Sequence, residues 1–220
     1  MALQKHDKLN NLSIPYEEYF GEMGLSKEEI RRRIELAKRI EKIFGYVFVL
    51  IKSDMLANNH FDAEYYAEFA KRRYADILIE FDIDIKEAYP WLLAHIDESV
   101  DDIIANIQEY AEQVSEDAED NEDSWYLSSD RAILIAENEA NSVGEYKTFQ
   151  DAVNKGKTRK VWNTMLDYKV RHTHTELEGY SIPIMERFKV GNYEMYQPKD
   201  TSLGAGMEEI ANCRCWCTYT

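Results

Sequence analysis

A chain of 220 residues, 45% of them hydrophobic, can bury one good core or a helical part plus a small second module, and it is too apolar to be disordered. A formal charge of −16 sets it against bare nucleic acid at long range, which disfavours a free DNA-binding protein and makes any DNA contact depend on a local basic patch or a partner. The most apolar stretch, 43–51, is far short of the roughly 18 residues of a membrane span, no secretory signal opens the chain, and cysteines confined to 213–217 do not form a secreted disulfide framework, so a reducing compartment is expected.

Residues 1–25, with Tyr16, Tyr19 and Phe20, read as an irregular or short helical arm. Ser26-Lys-Glu-Glu29 is a capping box, and Ile30, Ile34, Ala37, Ile40 and Phe44 then recur on one face of a helix. The stretch from Gly45 to Ile51 is ambiguous between buried helix and strand. Asp62 caps a second helix over 63–80, with Tyr66, Phe69, Ala70, Tyr74, Ile77 and Leu78 inward. A third starts near Asp84 and reaches about 112, with Pro90 dividing its beginning. Residues 115–123 form an acidic run that lacks the ligand spacing of a calcium loop and reads as a solvated connection.

A boundary placed there divides the chain into a helical N-terminal region, 1–125, and a small mixed α/β module, 126–220; the fold class is α+β. Ser129 or Asp130 caps a helix over 131–143, with Arg131, Ile135 and Glu139 on one face, either as a surface ion pair or as groups held inward. A separate short helix follows at 149–154, ended by Gly156. Residues 157–166 are β-like, 167–169 a turn, and 170–177 a short helix closed by Gly179 with positive φ. Ile182–Ile184 and Tyr193–Tyr196 are short strands, Gly204 and Gly206 mark a flexible loop, and 213–219 is a terminal strand.

Five segments, in order, resemble the Mu F-like phage head morphogenesis family. Arg131 to Asn141 (R-A-I-L-I-A-E-N-E-A-N) is similar to the family's R-A-x-x-I-A-R-T-E-x-N. Lys160 to Asp167 is like its K-x-W-x-T-x-x-D, and Val170 to Gly179 like its V-R-x-x-H-x-x-L-D-G. Ile182 to Phe188 follows I-P-x-x-x-x-F, and Glu208 to Cys215 ends in N-C-R-C. The likeness covers about 128–217. Glu137 and Asn138 depart from the family's Arg-Thr, which weakens any role tied to that arginine, and Glu178 stands where Asp is usual. The resemblance implies a minor head protein present in few copies in the procapsid, associated with the portal and other head proteins. It further implies help in DNA packaging, retention or ejection, with a virion location inside the capsid after assembly in the host cytoplasm. Structural motif residues under this resemblance are Arg131, Glu139, Trp162, Asp167, Arg171, Gly179, Asn212 and Arg214.

The residues themselves add three expectations. His172, His174, Cys213 and Cys215 are the candidate metal ligands, because on a strand 213, 215 and 217 share one face and imidazole with thiolate suits structural zinc. On a helix His172 and His174 diverge by about 200°, and buried thiols packing as small hydrophobes, or a strained disulfide, are the alternatives. His174 otherwise pins the turn between Arg171 and Gly179 by a hydrogen bond, Asn212 satisfies backbone groups at the turn into the strand, and Trp162 is core. Lys155, Lys157, Arg159 and Lys160 form the one basic cluster, either a solvated face or a contact for packaged DNA or an acidic portal surface.

No P-loop, G-x-S-x-G or H-E-x-x-H is present. The expectation is therefore a structural protein with no catalytic residue, no cofactor beyond a structural zinc, no membrane and no small-molecule substrate. The alternative is a metal-dependent enzyme or toxin of nuclease or glycosyl-transfer type on the same module. It would draw on Arg131, Glu139, Arg171, His174 and Glu176 or Glu178.

Overall fold

The computed structural model describes residues 23–83, 90–114 and 125–220. The expected arm up to residue 22, the expected start of the third helix at Asp84 and the acidic run lie outside the described residues. The chain is α+β: among the described residues four long helices come first, α1 (Lys27–Asn58), α2 (Ala63–Glu80), α3 (Pro90–Val114) and, after a short 3₁₀ turn at Trp125–Leu127, α4 (Ser129–Asn154). A small module follows: β1 (Arg159–Asn163), α5 (His172–Thr175), β2 (Ser181–Pro183), β3 (Phe188–Val190), β4 (Tyr193–Met195), α6 (Met207–Ile210) and β5 (Trp216–Tyr219).

The capping box forms as expected. Ser26 Oγ accepts from Glu29 N at 3.2 Å, and Glu29 Oε2 accepts from Ser26 N at 2.7 Å. The ambiguous Gly45–Ile51 stretch is helix. Ile40, Ile43, Phe44, Val47, Phe48 and Ile51 are all buried, a 3.6-residue rhythm that passes through Gly45 without alternation. Asn59 ends α1 with a left-handed φ of 57°. Asp62 caps α2 by accepting from Tyr65 N at 3.0 Å.

Helix α4 differs from expectation at both ends. Its cap is Ser128, whose Oγ accepts from Arg131 N at 3.1 Å, and it runs unbroken where two helices were expected. Gly144 does not break it because Ala140, Val143, Tyr146 and Phe149 keep one stripe buried on either side of the glycine. Gly156, with φ +73°, stops it.

One core cluster runs through α1–α4, with α1 packed along α4 and α2, and α2 along α3. The module has its own core around Trp162, Phe188, Val190, Met195 and the three cysteines. Its sheet is antiparallel in the order β2-β1-β5, with Lys160 opposite Ile182 and Trp162 opposite Cys217; β3 and β4 form a separate hairpin through Gly191 (φ +57°).

The loop after β4 fastens the module to the helices. Gln197 Nε2 donates to Ser142 O of α4 at 3.0 Å, and Thr201 N donates to His95 Nδ1 of α3 at 3.1 Å. Trp91 of α3 stacks on Tyr196, with centroids 5.7 Å apart. Among the described residues no helix is long and apolar enough to cross a membrane.

Candidate functional site

The groups with the most chemistry converge inside the module. Helix α5 is a single turn opened at Arg171 and closed by Gly179, whose φ of +71° lets the chain reverse into β2. That turn buries His174 and turns His172 outward. His172 has 88% of its side chain exposed and faces Glu176 across the turn, with 3.4 Å between Nδ1 and Oε1. The four-residue ligand set expected above is therefore corrected: His172 is not part of it, because two positions on a helix lie about 200° apart.

Cys213 and Cys215 come to His174 from the other side. Their sulfurs lie 3.5 and 3.4 Å from the same Nδ1. All three residues are buried and all three cysteines are free thiols. The extended strand β5 begins only at Trp216, three residues later than expected, yet the alternation survives: Cys213, Cys215 and Cys217 enter the module core, while Arg214 and Trp216 face away from it.

On its far side His174 Nε2 stands 3.0 Å from Glu209 Oε2, a contact too bent to count as a full hydrogen bond. Glu209 is fixed in turn by Thr173, whose Oγ1 donates to Oε2 at 2.8 Å. Trp162 meets the imidazole edge-on at 5.3 Å and Phe188 at 5.2 Å, so it is core, as its fully buried side chain requires. The Cys215 thiol donating toward Cys213 holds Cys213 well below the ordinary thiol range, helped by His174 against the opposing effect of burial. The same contact, together with burial, pushes Cys215 well above it. Burial, then the nearby Glu145 carboxylate, raises Cys217.

Glu209 and the helix that carries it were missed in the sequence. The signal available was an acidic pair just after Gly206, a helix-start pattern read instead as loop.

The other motif residues brace this site. Arg214 clamps Asp167 with two nitrogens at 2.5 and 2.6 Å. Arg171 Nη2 donates to Ala211 O. Glu178 Oε2 accepts from Thr164 N at 2.6 Å. Asn212 acts through its backbone, taking a left-handed φ of 54° just before Cys213.

Arg131 and Glu139 are both turned inward but do not pair. Arg131 donates to Tyr126 O at 2.7 Å and lies over the Tyr126 and Phe48 rings. Glu139 is buried among the helices. It accepts from Ser99 Oγ at 2.6 Å and Tyr74 Oη at 2.9 Å, with His95 Nε2 3.5 Å away. That cluster faces α2 and α3 and shares no atom with His174, so a single Arg131–Glu139–His174 catalytic array is not assembled.

The basic cluster is corrected as well. Lys155, Lys157 and Arg159 are exposed, but Lys160 is fully buried, with Nζ donating to Tyr196 O at 2.6 Å. It shares the inward face of β1 with Trp162 because strand side chains alternate.

Residues 98–218, more than half of the chain, match the family described as Phage Mu protein F like protein, and the chain belongs to that family. It is a phage head-related protein. The chain is also 32% identical over 89 residues to the NAD(+)--arginine ADP-ribosyltransferase EFV of Enterococcus faecalis. That similarity covers 39% of this chain and 18% of that protein's length. No solved structure matches the chain.

Proposed function

We propose that the chain is a minor head protein of a tailed phage, acting as a structural part near the portal inside the capsid and assisting packaging or ejection of the genome. The family match over 98–218 carries this reading. The arrangement of the site supports a structural role: its buried side chains pin loops to strands, and Glu139 bonds to Tyr74 and Ser99 of α2 and α3 while His174 packs on Trp162 in the module. The proposed partners are the portal, other head proteins and, at close range, packaged DNA. The similarity to the ADP-ribosyltransferase covers too small a part of that protein to bring its activity here.

Lys155, Lys157 and Arg159 are proposed as the face that meets the portal or DNA. Mass spectrometry of purified virions and procapsids tests the reading, together with co-sedimentation of the protein with portal. The protein is expected in both particles, and Lys155→Glu with Lys157→Glu is expected to weaken portal capture without changing the melt. Absence from both particles, with no portal binding, overturns it.

A further inference from the structure

We propose that His174, Cys213 and Cys215 bind one Zn²⁺ ion, and that Glu209 positions His174 for it. The ligand atoms of these three residues all lie within 4.8 Å of one another, the one such group among the described residues. Zn–S bonds of about 2.3 Å and Zn–N bonds of about 2.0–2.1 Å set a tetrahedral S···N edge of about 3.6 Å. The two observed separations, 3.5 and 3.4 Å, lie close to that edge. A hydrogen-bond relay, Cys215 to Cys213 and Cys213 to Nδ1, uses the one lone pair of Nδ1 for a single sulfur and gives the 3.4 Å approach of Cys215 to the same nitrogen no role. A metal ion uses all three atoms at once.

The other side of the ring selects the required tautomer. A carboxylate 3.0 Å from Nε2 repels a lone pair there and holds the proton on that nitrogen, which leaves the Nδ1 lone pair aimed at the sulfurs. Glu209 is held at both oxygens: Thr173 donates to Oε2, and Oε1 packs against Gly191 so closely that a Cβ there would stand 2.8 Å from it. On binding, each sulfur coordinates as thiolate, giving up to solvent any proton it still carries as its Zn–S bond forms, and Nδ1 supplies its lone pair. The described residues supply three ligands, and water or a donor from elsewhere completes the four.

The ion would join the 171–179 turn to the segment leading into β5, a covalent-strength link in a module whose longest strand is five residues. Elemental analysis of the full-length protein purified without chelator is expected to give about one zinc per chain, since one Cys₂His set is present. Replacement by Co²⁺ is expected to give the visible bands of tetrahedral cobalt with a thiolate charge-transfer band. Both are expected to vanish in Cys213→Ser and Cys215→Ser and to persist in Cys217→Ser and His172→Ala.

Should the two serine variants fail to fold, the wild-type cobalt spectrum and Glu209→Gln still decide. That change keeps the side chain's shape and is expected to weaken Zn²⁺ affinity about 10- to 100-fold in a chelator competition. Zinc-free protein that takes up no Zn²⁺ on titration, a cobalt spectrum without thiolate bands, or a site lost in His172→Ala overturns the proposal.

Discussion

Arg33 of α1 and Glu145 of α4 form an ion pair of 3.1 Å with both side chains buried, and the same carboxylate reaches into the module, where its Oε2 accepts from Cys217 N at 3.1 Å. One glutamate thus ties two helices to the last strand of the sheet. Removing one partner leaves the other charge stranded away from water, so Arg33→Ala is expected to destabilise the fold by about 3–5 kcal/mol. Gly144→Ala tests the same contact sterically: its new Cβ would stand 2.5 Å from Arg33 Nε. The guanidinium must move off the pair, at an expected cost of about 1–3 kcal/mol. Urea unfolding of both variants checks the two values; an unchanged midpoint for Arg33→Ala refutes the role assigned to the pair.

Lys160 gives the protein an alkaline signature. Burial lowers its pKa from the usual 10.5 to about 8, against the opposing pull of Cys217, Asp200 and Glu186. Between those two values the unfolded chain holds a proton that the folded chain lacks, so this residue's contribution to stability rises with pH across that window. Other groups titrate there too, Cys217 in the opposite sense. The measurement is therefore the difference in unfolding free energy between wild type and Lys160→Met from pH 7 to 10.5. It is expected to grow in favour of wild type as pH rises; a flat difference would mean that the ammonium is solvated.

The Arg214–Asp167 clamp acts at the acid end. Hydrogen bonds from Arg214 hold the Asp167 carboxyl below its ordinary 3.8. A depressed carboxylate contributes stability that is fully present above the ordinary value and is lost as pH falls through the folded one. Asp167→Asn is expected to cost about 1–2 kcal/mol at neutral pH, in the range of charge-assisted hydrogen bonds. Its melting temperature should approach that of wild type as the pH drops below 3.8. A gap that stays constant into acid would assign the effect to packing.

What could be read in advance divides along physical lines. Helix starts were legible because capping is local: Ser26 and Asp62 lie within three residues of the amides they serve. Helix length was less legible: the buried stripe of α4 runs on past Gly144, where two helices were expected. A glycine gave no reliable stop: Gly45 and Gly144 are both mid-helix, whereas Gly156, with its positive φ, ends α4. Buried charges were hidden because their partners are distant in sequence: Arg33 and Glu145 are 112 residues apart, and His174 and Cys215 are 41 apart.

Lys160 was misread through counting neighbours in a basic run instead of faces of a strand. Its place two residues before Trp162 already put it inside. The divergence of His172 from His174 was available from helix geometry alone. Strand β4 was expected, at Tyr193–Tyr196, but its partner β3 and helix α6 escaped because elements of three or four residues carry little periodicity.

The order of the sheet also sets a timetable. β1 finds its partner β2 after a short excursion, but its other edge waits for β5, each rung joining residues more than fifty positions apart. Long-range pairings of that kind close slowly, while the helices, built from near neighbours, do not have to wait. A newly made chain therefore passes through an interval in which its helical part is shaped and the thiols of Cys213, Cys215 and Cys217 are still open to solvent. In that interval oxidants and chaperones can reach the same three sulfurs, which the closed sheet then buries.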